Sequence, residues 1–128
     1  MNENELLKRY AAGERDFSGE NLSCTELTGA NISGINLSGA NLTRAYLNEA
    51  DLTEANLSGA NLEYTRFTNA KLVGANLEEA KLEHAVLRNA NLAGANLLNA
   101  KLNKDLSAST LCNTTMPDGS ISNDNCQS

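Results

Sequence analysis

ANLTRAYLNEADLTEANLSG, residues 40–59, decides the fold. Leucine returns at positions 42, 47, 52 and 57, and alanine stands two residues before each of them. On an α-helix five residues advance about 500°, so successive leucines rotate by about 140° and make no stripe. In a continuous strand an odd period throws alternate leucines onto opposite faces. The chain therefore changes direction once per five residues and brings every leucine back to one interior. That describes a coil whose short sides each carry one pentapeptide.

Outward from this stretch the apolar position recurs without a gap from Phe17 to Leu102, eighteen consecutive registers of Leu, Ile or Phe. Two residues before these centres alanine fills thirteen of the eighteen positions, with Thr25 and Thr65 among the exceptions. The repeat explains the composition. Twenty Leu, nineteen Asn and seventeen Ala make up 56 of the 128 residues, a bias foreign to ordinary globular domains. Five aromatics and no Trp are a thin supply for a conventional mixed core. The excess consists of interior columns plus an outer polar ladder, and such self-similarity marks a solenoid.

The units ADLTE (residues 50–54) and ANLEE (residues 75–79) resemble the pentapeptide repeat family: a small residue, Asn or Asp, Leu or Phe, Ser or Thr, then a variable residue. The resemblance covers residues 15–104. It implies an all-β solenoid, a right-handed quadrilateral β-helix with four pentapeptides per coil and a short N-terminal capping helix. Immediately before each leucine, identities at a spacing of twenty number six of fourteen pairs, against four of fifteen at a spacing of fifteen. Asn36, Asn56, Asn76 and Asn96 form the longest such column. Ninety residues then make four and a half coils, a rod about 22 Å long at the spacing of paired strands.

Three segments are expected: a cap over 1–14, the array over 15–104, and a register-shifted last coil with its tail over 105–128. In the first, Asn2 and Glu5 have capping-box spacing, Leu6 and Tyr10 share a face, and Gly13 suits the residue past a helix end. Such a helix covers an edge otherwise open to pairing with another chain. After Leu102 the register slips by one and continues as Leu106, Leu111, Met116 and Ile121, with a tight turn at Pro117-Asp118-Gly119. The stretch around that turn resembles the closing segment of cyanobacterial family members. Outside the later coils Val73, Ala93 and Leu98 replace Ser or Thr, a strip suited to docking the tail or to a homodimer through the C-terminal end.

Signatures of chemistry are absent, and the chain is expected to be no enzyme and to need no cofactor or metal. His84 is the only histidine, and Cys24 stands three coils from it, about 14 Å at the strand spacing and beyond the reach of a nucleophile and base. Glu63 and Glu83 stack one coil apart, with Lys81 and Lys101 on their face to neutralise them. Cys112 and Cys126 enclose thirteen residues of the tail. They are thiols in a reducing cytoplasm, or a disulfide in an oxidising compartment such as a periplasm or thylakoid lumen. With no long apolar run and no apolar segment in MNENELLKRY, the expected location is the cytoplasm and no membrane is involved.

The informative outward feature is one corner. With four repeats per coil, Arg44 and Tyr46, then Tyr64 and Arg66, then His84 and Val86 stack upward. Two of the three tyrosines and two of the five arginines share this strip, a composition typical of binding hot spots. Cation–π ladders between successive coils account for the same pattern structurally. The leading expectation is a non-enzymatic interaction or scaffold module that binds another protein through Arg44, Tyr46, Tyr64, Arg66 and His84. The alternative follows from the family resemblance: some members inhibit a DNA topoisomerase, gyrase, by mimicking DNA with a long acidic face. Here the formal charge of −6 divides into −1 over residues 1–14, −2 over 17–104 and −3 over 105–128, so the array itself is nearly balanced. An acidic chain of this kind is not expected to bind nucleic acid directly.

Overall fold

A computed structural model describes residues 1–103, 106 and 108–126. The boundary expected at Lys104 and Asp105 lies outside the described residues.

Each pentapeptide folds the same way. In residues 42–45 the amide of Ala45 donates to the carbonyl of Leu42 at 3.0 Å, and Arg44 has φ +62°. A left-handed third residue in a hydrogen-bonded four-residue turn is the type II geometry. The turn swings the chain round so that the side chains at both of its ends point inward. Leucines and alanines of the two interior columns are almost wholly inaccessible, from Phe17 and Leu22 to Ala95 and Leu97.

Between turns the chain pairs with itself. Parallel bridges join residues twenty apart, Asp16 to Asn36, Asn21 to Asn41, Glu26 to Tyr46, Asn31 to Asp51, and so upward to Lys81 with Lys101. Four pairings per twenty residues make four sides per coil. The amide of Leu22 donates upward to Asn41 O at 2.7 Å, and the amide of Asn41 donates downward to Glu20 O at 2.9 Å. Every side is too short to count as a regular strand. Among the described residues the only named strands are β1 (Thr114–Thr115) and β2 (Ile121–Ser122), an antiparallel hairpin in the tail.

The Asn and Asp column has a local purpose that composition does not reveal. Oδ1 of Asn36, Asn56, Asn76 and Asn96 accepts the amide two residues on, each at 3.0 Å. These side chains hold the first half of their own turns in an Asx-turn arrangement. The exceptions to the alanine column are also satisfied. Thr65 Oγ1 donates to Leu42 O at 2.7 Å, Ser109 Oγ to Leu87 O at 2.8 Å and Thr114 Oγ1 to Leu92 O at 2.7 Å. These three hydroxyls reach a carbonyl of the coil below, and Thr25 Oγ1 donates within its own turn to Leu22 O at 2.8 Å, so none of the four is left without a partner.

Helix α1 (Glu3–Ala11) starts at Asn2, whose side chain accepts from the Glu5 amide at 2.9 Å. Leu6 is fully buried on the first coil. The Tyr10 hydroxyl donates to Ser33 O at 2.6 Å, and the Arg9 guanidinium lies 5.0 Å from the Phe17 ring centroid while binding Glu14. The helix is thereby latched over the first open edge.

At the far end the bridges shift to a spacing of nineteen, Asn91 to Thr110 and Asn96 to Thr115. Leu106 and Leu111 are buried and Met116 packs against the core. Ile121 departs from the sequence expectation: it is 54 % exposed. The chain reverses at Pro117-Asp118-Gly119, where the Met116 amide donates to Ser120 O at 2.7 Å, and β2 runs back beside β1 instead of completing a fourth side. Asp124 O and Asn123 Oδ1 then accept the edge amides of Leu111 and Asn113, both at 2.8 Å. A Cys112–Cys126 disulfide, Cα atoms 4.7 Å apart, ties this return segment to the last coil. The strip of Val73, Ala93 and Leu98 is half-buried, and Gly119 lies directly against Leu98.

One aspartate in the ladder couples the turns to pH. Hydrogen bonds from the Thr53 hydroxyl, then from its amide, hold the Asp51 carboxyl below its ordinary value of 3.8. The folded state therefore binds this proton less readily than the unfolded chain. The resulting stabilisation is complete above the ordinary value and disappears as pH falls through it towards the folded one. Urea midpoints should be level from pH 7 to 5 and fall below about pH 4. Asp51→Asn, which keeps the turn acceptor, should make that acid limb shallower.

Candidate functional site

The left-handed third residue of each turn forms four corner columns along the rod. Three contain glycine or asparagine: Gly19, Gly39, Gly59, Glu79 and Asn99 in one, Gly29, Glu49, Asn69 and Asn89 in the next, Gly34, Glu54, Gly74 and Gly94 in the third. The fourth holds Cys24, Arg44, Tyr64 and His84, at φ +62°, +62°, +61° and +64°. A side chain in this region costs on the order of 1–2 kcal/mol per residue, a cost that glycine avoids and asparagine reduces. Among the described residues only this corner has neither glycine nor asparagine at any level.

The structure brings all five sequence-nominated residues together. Arg44, Tyr46, Tyr64, Arg66 and His84, with Val86, line one shallow groove of about 340 Å3. The Arg44 guanidinium lies 4.6 Å from the Tyr64 ring centroid, and Arg66 lies 5.6 Å from that of Tyr46. Tyr64 stacks in turn on His84, centroids 4.8 Å apart and planes inclined by 18°. The result is a chequerboard in which each cation rests on an aromatic ring of the neighbouring coil. Tyr46 and Tyr64 nevertheless remain 39 % and 44 % exposed.

Asn103 is a member the sequence reading missed. Its Oδ1 accepts the His84 amide at 3.0 Å and its Nδ2 approaches the imidazole Nδ1 at 3.2 Å. In the regular register a backbone carbonyl accepts that amide. The one-residue slip substitutes a side chain, and repeat spacing counted along the sequence does not show where the slip is absorbed.

Other expectations fare differently. Neither Lys81 nor Lys101 pairs with Glu63 or Glu83; among the described residues the ion pairs are those of Arg9 with Glu5 and Glu14. Glu83 Oε1 is buried without a hydrogen-bond partner. A second concavity, lined by Ser58, Gly59, Asn76, Glu78 and Glu79, carries two carboxylates and no aromatic ring. Among the described residues no His, Cys, Asp and Glu gather as a metal site, and no helix is long and apolar enough to cross a membrane.

A tandem coil of pentapeptides with one chemically distinct corner defines a repeat protein. The chain belongs to the pentapeptide repeat family: the family profile matches eight copies over residues 16–39, 35–72 and 70–104. Among solved structures it is similar to the pentapeptide repeat protein Rfr23 of the cyanobacterium Cyanothece 51142. Identity is 40 % and the TM-score 0.69 over 70 % of this chain and 60 % of that one. This chain therefore spans less than two thirds of its length. A pentapeptide repeat protein of Nostoc Pcc 7120, alr5209, is 35 % identical over 84 % of this chain and 85 % of its own, with a TM-score of 0.47. One from the thylakoid lumen of Arabidopsis thaliana is 28 % identical over 72 % and 70 %, also with a TM-score of 0.47. Comparison with curated protein sequences found no match.

The corner's cost separates a structural role from a recognition role. Cation–π contacts at exposed sites return about 0.5–1 kcal/mol each, against the left-handed cost at three positions. The triple variant Arg44→Asn, Tyr64→Asn, His84→Asn should unfold within about 1 kcal/mol of the parent in urea. A loss of several kcal/mol would make the corner a structural brace.

Proposed function

We propose that the protein is a non-enzymatic interaction module, a right-handed quadrilateral β-helix whose rigid rod presents the Arg44, Tyr46, Tyr64, Arg66 and His84 corner to another protein. The observation that carries this reading is the corner column itself. The three neighbouring columns use glycine or asparagine at every described left-handed position except one glutamate each, Glu79, Glu49 and Glu54, and this one has neither glycine nor asparagine but Cys, Arg, Tyr and His. Sparsely populated backbone conformations concentrate at functional sites because the cost is tolerated where the side chain is needed. Tyrosine and arginine are the residues that dominate interface energetics. Successive coils hold them on a frame hydrogen-bonded at every level, so little ordering remains to be done on association.

The gyrase-inhibitor alternative lacks a comparable observation. Its acidic face is missing: Glu49, Glu54 and Glu79 fall on three different corner columns, while Lys71, Lys81 and Lys101 occupy the bridging rows of two sides. The Cys112–Cys126 bridge favours an oxidising compartment over the cytoplasm, since cytosolic thiols are kept reduced.

Affinity capture from the native cell, with Tyr46→Ala, Arg44→Asn, Tyr64→Asn and Arg66→Ala combined as the control, should lose a protein partner that the parent retains. Retention of every partner by that variant would remove the corner reading. A gyrase supercoiling assay should show no inhibition by micromolar protein. Alkylation of freshly lysed cells should leave Cys24 as the one labelled cysteine; labelling of all three would return the protein to a reducing compartment.

A further inference from the structure

The chemistry of the corner specifies what kind of surface it accepts, if it is the interface. Neither the Arg44 nor the Arg66 guanidinium has a carboxylate within 4.0 Å or a side-chain hydrogen bond among the described residues; the ion pairs found belong to Arg9. Glu26, one coil below Tyr46 in its bridging row, accepts the Thr28 amide at 3.1 Å. Glu83 has one oxygen buried. The chain is acidic as a whole, −6, yet this groove holds two uncompensated cations. Each is fixed against a ring at 4.6 or 5.6 Å.

The two guanidiniums are also set apart in a particular way. Arg44 and Arg66 stand on adjacent coils and on diagonal squares of the chequerboard, since Tyr46 bridges to Arg66 directly. One strand spacing along the rod and two residues across it separate their backbone positions by about 8 Å. Carboxylates on alternate residues of an extended peptide lie about 7 Å apart on one face. Arginine forks bind carboxylates through paired hydrogen bonds, and the partly exposed Tyr46 and Tyr64 rings flank the path of the intervening chain.

We infer that the groove binds an extended acidic segment of a partner protein, with two Asp or Glu residues one residue apart seated on Arg44 and Arg66. This rests on the corner being the interface and adds the partner's chemistry. The segment lies obliquely across two coils, its backbone over Tyr46 and Tyr64, and attraction to the carboxylates weakens as salt rises because the site is open to solvent.

The test uses the full chain, labelled with 15N, titrated with three nine-residue peptides centred on Asp-Ser-Asp, Asn-Ser-Asn and Lys-Ser-Lys. The Arg44 and Arg66 Nε signals and the Tyr64 amide report the groove. The Asp peptide should shift these signals saturably and at least tenfold more tightly than the Asn peptide, and weaken on going from 50 to 300 mM salt. In the doubly reversed Arg44→Glu, Arg66→Glu variant, whose backbone spectrum away from the corner verifies folding, the order should invert in favour of the Lys peptide. Equal affinity for Asp and Asn peptides, lost on Tyr46→Ala with Tyr64→Ala, would overturn the acidic partner while leaving an interface there. Shifts confined to another part of the rod, or none with any peptide, would also overturn it; whether the corner binds protein at all is decided separately by the capture experiment.

Discussion

Every coil of this protein depends on a residue at φ near +60° in each turn. Without that left-handed step the five-residue period has no way of returning leucine to the same interior, because neither helix nor strand repeats on five. With it, the hydrogen bond across each turn closes, the two inward side chains converge, and the next side comes into register with the one twenty residues below. Backbone pairing then follows at every level, from Asp16 with Asn36 to Lys81 with Lys101. The same step places one outward side chain at every corner. Architecture and surface chemistry are set by a single dihedral, and a corner that departs from glycine and asparagine does so against a cost.

The rod has two open ends, and both are closed by non-repeating chain. Helix α1 lies over the first coil through Leu6, Tyr10 and the Arg9 contact with Phe17. At the other end the tail turns back, supplies Asp124 O and Asn123 Oδ1 to the last edge amides, and is tied down by Cys112–Cys126. An exposed parallel edge is a template for pairing with another chain, so a short solenoid needs both closures. With its ends covered, the rod leaves its sides and corners exposed. The Arg44, Tyr46, Tyr64 and Arg66 chequerboard is the one corner where cations and rings meet in a groove.

Most of the fold was legible because the repeat is strict. Leucine at every fifth position and alanine two before it determined the coil and the interior columns, and the resemblance to the pentapeptide repeat family implied the count of twenty per turn, which in turn put Arg44 under Tyr64 and Tyr46 under Arg66. The role of Asn36, Asn56 and Asn76 was hidden: composition shows a polar ladder, while the Asx turns appear only when Oδ1 meets the amide two residues on. Asn103 was equally hidden, since its contact with His84 exists because of the slip. Ile121 continued the period in sequence yet turned outward, because the hairpin at Pro117-Asp118-Gly119 satisfies the edge that a fourth side would have filled.

The order of residues alone determined that this chain coils and which side chains enter its core, since a five-residue period fits neither helix nor strand; which residues share a corner followed from the four-pentapeptide coil that the family resemblance implies. Tertiary structure decided what the corner is. Whether a lysine or arginine in an adjacent row is neutralised depends on side-chain reach, and Lys81 and Lys101 leave Glu63 and Glu83 unpaired while Arg44 and Arg66 lie on tyrosine rings. It also decided how the last coil ends, because competition between a further side and a returning hairpin is settled by which one satisfies the exposed amides of Leu111 and Asn113.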